Sequence, residues 1–360
     1  MERFGIKTEI LSGPGALNAV GQMGIRRLFL VSDPYFYENG TAQRIGKLSN
    51  AEKIEYFHQV KPDPTVALAA MGTARLKEFG PDCILALGGG SAMDCAKAMA
   101  YFSESKARFI AVPTTSGSGS EVTDFAILTH DGLKHPLVDA RLRPDVAILD
   151  EELLRKLPPS LIADAGFDVL SHALEAYVAK NAGAVTDALA ADAFCRVFSL
   201  LPASFAGDTQ VRGQIHMAAT MAGMAFSQAG LGLCHAMSHT LGGAFHIPHG
   251  RLNAILLPAV IECNAHTAGE KYAKLAALAG FGASAQTIAV RNLKNSLIRL
   301  RRELRMPENL AQAGVKPEAV WHQSKQLVAS TLADPCCATN PTGVEDYMVR
   351  RVLESVTGHG

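Results

Sequence analysis

Short apolar runs alternate with longer stretches of helical period through the first 160 residues of the chain. RRLFLVSD (26–33), KIEYF (53–57), DCILALGGG (82–90), RFIAVPTT (108–115), FAILT (125–129) and DVAILD (145–150) have the length and apolar content of buried strands. TVALAAMGTARLKEF (65–79) and SAMDCAKAMAYF (91–102) lie between them with helical spacing. Parallel strands need crossover connections, so this alternation predicts βαβ units on a mainly parallel, Rossmann-like sheet. Beyond Leu157-Pro158-Pro159-Ser160 the chain turns Ala-, Leu- and Met-rich with helical periodicity, from SLIADAGFDVLSHALEAYVAK (160–180) to RNLKNSLIRLRREL (291–304). Ser160, behind two prolines, is the expected N-cap of the first of these helices. The pattern predicts an α/β domain over residues 1–158 and an all-α domain over residues 159–360.

Composition narrows the partners. Lys plus Arg equals Asp plus Glu at 34 each, without long charge runs, which argues against a nucleic acid or an anionic membrane and for a small molecule. The seven cysteines, at 83, 95, 195, 234, 263, 336 and 337, show no CxxC spacing and read as reduced thiols of a cytoplasmic protein. The N-terminal stretch MERFGIKTEI lacks the apolar core of a signal peptide, and no apolar run approaches the roughly 18 residues of a membrane span.

ILALGGGSAMDCAK places Gly88, Gly89 and Gly90 at a strand end, with Ser91 opening the next helix. Glycines let the backbone approach a bulky anion, and the helix terminus supplies N–H groups, an arrangement suited to a pyrophosphate. It is neither the G-x-G-x-x-G fingerprint nor a Walker A loop. AVPTTSGSGSEVT (111–123) adds a second, hydroxyl-rich loop containing Thr114, Thr115 and Ser118. Asp33 closes the strand LFLVSD, where a carboxylate can accept from a ribose and repel a 2′-phosphate, favouring NAD; it is equally placed to start a turn before Pro34.

Four of the chain's twelve histidines fall in CHAMSHTLGGAFHIPHG (234–250). Asp168 and His172 in GFDVLSHALEAY (166–177) are four residues apart, as are His235 and His239, so each pair shares a helix face. His249 follows Gly242, Gly243 and Pro248, whose turn is expected to fold it back toward His235. Three imidazoles and a carboxylate suit Fe(II) or Zn(II) and leave a coordination position open. Chemistry alone leaves open which three of the four histidines bind; His246, in an extended stretch between Phe245 and Ile247, is the expected non-ligand.

GGGSAMDCAK, PTTSGSGSEVT, GFDVLSHALEAY and CHAMSHTLGGAFHIPHGRLNAILLP together resemble the iron-containing (group III) alcohol dehydrogenases, and LSGPGAL (11–17), KPDPT (61–65) and TNPTG (339–343) extend the likeness over nearly the whole chain. Within the family the chain looks most like the propanol dehydrogenases of propanediol-utilising bacterial microcompartments. The resemblance implies Asp168, His172, His235 and His249 as metal ligands and His239 as a non-ligand histidine beside the nicotinamide. It implies Gly88, Gly89, Gly90 and Ser91 as the pyrophosphate loop, Thr114, Thr115 and Ser118 as the second cofactor loop, and Asp33 and Lys134 as ribose and cofactor contacts. Phe226 matches a wall of the substrate pocket. Asp63 replaces an Asn common in relatives and is expected near the cofactor.

The implied activity is hydride transfer between NAD(H) and a short primary alcohol or aldehyde, with Fe(II) or Zn(II) as the metal and His239 relaying the proton. The implied setting is a cytoplasmic homo-oligomer, a dimer or larger, associated with other microcompartment proteins. Related architectures leave three alternatives: a glycerol-type polyol dehydrogenase, a dehydroquinate synthase-like lyase, and a non-catalytic nucleotide-binding assembly component. The lyase would need cations around its anionic substrate, whereas residues 160–267 contain only Lys180, Arg196, Arg212 and Arg251.

Overall fold

A computed structural model describes residues 4–130 and 133–358. Asp131 and Gly132 of the loop HDGLKHP, the first three residues of MERFGIKTEI, and the last two residues of the chain lie outside the described residues. The chain divides into two compact units, a sheet unit of Gly5–Leu157 with Arg212–Gly223, and a helical unit of Pro158–Val211 with the chain from Met224 onward.

The sheet unit is built on β1 (Glu9–Ser12), β2 (Arg27–Ser32), β3 (Lys53–Phe57), β4 (Cys83–Gly88), β5 (Arg108–Pro113) and β8 (Val146–Leu149), in the order β1-β8-β5-β4-β2-β3 with every pairing parallel. Alternate residues of these strands feed two cores. Leu28, Leu30, Leu85, Leu87, Ile110 and Val112 pack on one face, and Phe29, Val31, Ile84, Ala86, Phe109 and Ala111 on the other. Strands buried on both faces read as continuous apolar runs, which is why they stood out in the sequence. β2 proceeds outward to β3 while β4 proceeds the other way to β5, so the strand order reverses between β2 and β4. Ligands of doubly wound sheets bind beyond the carboxyl ends of the strands at such a point. Ser32 of β2 pairs with Leu87 of β4, which sets Asp33 and Gly88 side by side there.

FAILT does not join this sheet. It forms β6 (Phe125–His130), antiparallel to β7 (Leu133–Val138), as a separate hairpin. The helices α1 (Pro34–Glu38), α2 (Thr41–Leu48), α3 (Val66–Phe79) and α4 (Gly90–Ser103) complete the unit.

The helical unit begins with α5 (Pro159–Val178), two residues earlier than an N-cap at Ser160 implied. Its N-cap is Pro158 and Pro159 is its first helical residue, a position where a fixed φ and a missing N–H cost nothing. There follow α6 (Ala184–Phe205), α7 (Arg212–Ala229), whose first turns belong to the sheet unit, α8 (Leu233–Phe245) and α9 (His249–Leu278). Contrary to the sequence expectation, α6 is long and apolar enough to cross a membrane by length and composition. It packs along α5, however, and Asp192 and Arg196 pair on it while Asp187 pairs with Lys271. Among the described residues all seven cysteines are free, in line with the thiol reading.

Candidate metal centre and cofactor loops

Helical spacing puts Asp168, His172 and Glu175 of α5 on one face at i, i+4 and i+7. Asp168 Oδ1 is the hub of the centre. It lies 3.9 Å from His172 Nε2, 3.8 Å from His235 Nε2 and 3.7 Å from His249 Nε2. A four-coordinate ion about 2.1 Å from its ligands separates them by about 3.4 Å, so Asp168, His235 and His249, whose donor atoms all lie within 4.8 Å of one another, need a modest closure to share one cation, while His172 approaches that group only through Asp168. His172 and His235 stack with ring centroids 4.5 Å apart. Phe226, in the last turn of α7, stacks on the other face of His172 at 4.4 Å and is buried.

A further layer of side chains, which sequence reasoning did not single out, fixes these donors. Buried Glu175 accepts a hydrogen bond from His235 Nδ1 at 2.6 Å and another from Cys234 N at 2.7 Å, so His235 Nε2 carries the lone pair that faces Asp168. Burial pushes the Glu175 carboxyl up to about 7 although three backbone N–H groups pull it down. Asn253, four residues after His249 on α9, donates 2.9 Å to Asp168 Oδ1, while its own oxygen accepts from Ser238. Burial likewise raises the Asp168 carboxyl and lowers His235 well below the ordinary imidazole range. Burial disfavours charge on His235 and on both carboxyls alike, and a divalent cation at Asp168 would offset that cost for the carboxylates while taking the His235 lone pair, which fits this donor set.

The backbone reversal between α8 and α9 differs from expectation. Gly242 and Gly243 are helical residues of α8; the turn is made by His246, the left-handed C-cap at φ 55°, followed by Ile247 and Pro248. His246 is exposed and outside the cluster. His249 opens α9, where Gly250 lets the helix cross α5: a Cβ there would sit 1.9 Å from Asp164 O and 3.2 Å from Asp168 Cβ. His239, one turn along α8 from His235, lies with its ring 5.2 Å from that of His249 and bonds through Nδ1 to Asp334 Oδ2 at 2.9 Å. Burial works to raise the Asp334 carboxyl, but the bond from His239 and the Cys336 N–H hold it below the usual range.

In the sheet unit, Gly88 ends β4 at φ 151°, and a Cβ there would lie 2.6 Å from Ala92 Cβ and 3.7 Å from Asp33 Oδ2. Gly89 caps α4, and Gly90 and Ser91 form its first turn, whose N–H groups point outward without intrahelical acceptors. Gly88 pairs with Pro113, so the loop after β5 leaves the sheet beside the first: Thr115 Oγ1 lies 3.1 Å from a Cβ position on Gly89, and Ser118 Oγ 3.3 Å from one on Gly90. Thr114 is buried and donates its N–H to Gly88 O. Asp33 caps α1 by accepting from Phe36 N at 3.1 Å, in line with the turn reading, and lies next to Gly88. Asp63, at φ 54°, pairs with Lys134 at 2.8 Å.

Lys97, the buried lysine of α4, anchors the second loop. Its ammonium donates to Ser120 Oγ at 2.9 Å, Thr123 O and Oγ1 at 3.0 Å, and Phe125 O at 2.9 Å, and burial draws it down to about 8. Asp94 receives Ser120 Oγ at 2.9 Å from the same helix. On the other side, Ser116 Oγ meets His216 Nδ1 at 3.0 Å and Thr220 donates to Glu121.

The family described as "Iron-containing alcohol dehydrogenase" matches residues 7–151, and the "Fe-containing alcohol dehydrogenase family, C-terminal" matches residues 162–357. The 1-propanol dehydrogenase PduQ of Salmonella typhimurium is 39% identical, spanning 99% of this chain and 100% of the relative. The NADPH-dependent butanol dehydrogenase of Clostridium saccharobutylicum is 35% identical over 99% of this chain and 98% of its own length. The solved iron-containing alcohol dehydrogenase of Thermococcus thioreducens superposes with a TM-score of 0.90 at 33% identity, covering 98% of this chain and 99% of that one. The chain therefore belongs to the iron-containing alcohol dehydrogenase family and is an oxidoreductase.

Proposed function

We propose that the protein interconverts a short primary alcohol, of which 1-propanol is the leading example, and its aldehyde with NAD(H), using Fe(II) held by Asp168, His172, His235 and His249. The observation that carries this reading is the approach of three imidazole Nε2 atoms to one carboxylate oxygen, each at 3.7 to 3.9 Å. When bound, the metal supplies a Lewis acid for an alcohol or carbonyl oxygen and the dinucleotide a partner for the hydride. Glu175 and Asn253 orient the ligands before anything binds. Phe226 shields one face of His172 from water and offers an apolar wall suited to an uncharged aliphatic chain. His239, tethered at Nδ1, leaves Nε2 to hold the proton released on oxidation and to return it on reduction.

The glycine loop Gly88–Ser91 and the hydroxyls of Thr114, Thr115 and Ser118 bind the pyrophosphate, with the Asp63–Lys134 pair nearby on the cofactor side. Asp33 favours NAD, because its carboxylate would repel a 2′-phosphate, even though the butanol relative is named for NADPH. Zinc suits the same donor set, and membership of an iron-containing family favours iron. Lyase chemistry is disfavoured because the cations it would recruit are engaged: Arg251 by Asp164, Arg196 by Asp192, Lys180 by Ala338 O and Arg212 by Leu154 O. The finer setting proposed is a cytoplasmic homo-oligomer residing in a bacterial microcompartment.

The test is an anaerobic assay of iron-loaded protein with NADH and linear aldehydes of two to six carbons. Expected is turnover peaking among the short aldehydes, preference for NADH over NADPH, and loss of bound iron in His249→Ala. Absence of turnover with every aldehyde in metal-replete protein would remove the assignment.

A further inference from the structure

We propose that His239, Asp334 and Cys336 form a second cation site, which takes Zn(II) in preference to Fe(II) and through which zinc inhibits the enzyme. His239 comes from α8, Asp334 from the C-cap of the helix Ser324–Ala333, and Cys336 from the first position of the helix Cys336–Thr339. One donor atom from each lies within 4.8 Å of the others. A tetrahedral zinc ion, about 2.0 Å from nitrogen and oxygen and about 2.3 Å from sulfur, separates its ligands by roughly 3.3–3.8 Å, so closure calls for shifts of about an ångström.

The turn already aims the carboxylate. Cys336 N donates 2.8 Å to Asp334 Oδ1, leaving Oδ2 toward His239 at 2.9 Å. The side chains of His239 and Asp334 remain 21% and 12% exposed, which gives an ion a way in. Chemistry separates this cluster from the first. The Asp168 centre offers only nitrogen and oxygen, whereas a thiolate is a soft donor that selects zinc.

In the absence of a cation, burial and the neighbouring Asp334 carboxylate keep the Cys336 thiol protonated. Zinc binding would expel the thiol proton to solvent and leave His239 as the neutral tautomer with its proton on Nε2, where it could no longer accept one. Cys337 does not compete, because its thiol is turned to Thr331 O at 3.1 Å. Metal on Nδ1 breaks the His239–Asp334 bond, so the inhibitory consequence rests on the proton role proposed for His239; the binding itself does not.

Iron-loaded wild-type protein titrated anaerobically with Co(II), an absorbing stand-in for zinc, should bind one further equivalent and develop a near-ultraviolet thiolate-to-cobalt band. Cys336→Ser should keep its iron and its basal activity, lose the band and the added equivalent, and weaken zinc inhibition by at least about tenfold. Cys337→Ser should behave as wild type. A band that survives in Cys336→Ser, or no further equivalent in wild type, overturns the site. Binding that depends on Cys336 but leaves turnover untouched overturns the inhibitory role alone, and with it the proton role of His239.

Discussion

At the scale of single residues, the centre depends on groups that never need to touch substrate. Glu175 is the clearest case. It accepts hydrogen bonds from His235 Nδ1 and the N–H of Cys234 while fully buried, so it sets both the tautomer and the position of that imidazole. Glu175→Gln keeps one acceptor oxygen but turns an amide toward a cluster of donors and removes a negative charge from beside the cation. Iron affinity should fall about 10- to 100-fold, the usual cost of losing such a partner, with little change in secondary structure. Competition with a calibrated chelator measures it, and unchanged affinity would mean that Glu175 serves the fold alone. Lys97 is the counterpart in the sheet unit. Its three ammonium protons serve four acceptors at 2.9 to 3.0 Å, which ties the hydroxyl-rich loop after β5 to α4, the helix that follows the glycine loop.

At the scale of elements, the crossing of α5 and α9 brings His249 to Asp168. Gly250 permits it, since any Cβ would collide with Asp164 O at 1.9 Å. Gly250→Ala should push the first turn of α9 outward, lower the unfolding free energy by about 1–3 kcal/mol and reduce bound iron together with it. Denaturant unfolding and iron content on the same preparation check this; full occupancy at wild-type stability would show that the crossing has slack. The same crossing shows what was legible beforehand. Strands buried on both faces and helices with intact period were predicted nearly to the residue, as with Arg27–Ser32 and Val66–Phe79. β1 escaped notice because it is a four-residue, partly exposed strand, and β7 because Lys134, His135 and Pro136 break its apolar pattern. In the centre, paired spacing pointed to Asp168, His172, His235 and His239. Glu175 could have been found by carrying that face one turn further to i+7. Asp334 could not, since nothing periodic links it to a histidine 95 positions away.

At the scale of the whole molecule, buried ionisable groups make stability depend on pH, and their signs differ. The carboxyls of Asp168 and Glu175 are raised by burial, so the folded chain holds their protons longer and they weaken stability as pH rises. His216 acts in the opposite sense. Burial against the hydroxyl-rich loop after β5 lowers it from an ordinary 6.5 to about 4, so between those values the unfolded chain binds a proton that the folded chain refuses. Stability from this residue is therefore complete above pH 6.5 and declines as pH falls toward 4, by about 3 kcal/mol in all. His216→Asn can still meet Ser116 Oγ with an acceptor but cannot take up a proton. Because the carboxyl contributions are common to both proteins, the difference between their unfolding free energies isolates the histidine. At pH 7.5 the variant should be the less stable, having lost packing; as pH is lowered through 6 to 4.5 the gap should close and then reverse. Urea unfolding midpoints at half-unit pH steps provide the measurement. A gap that stays constant across that range would place the acid sensitivity of the sheet unit elsewhere and show that His216 is protonated as readily in the folded chain as in the unfolded one.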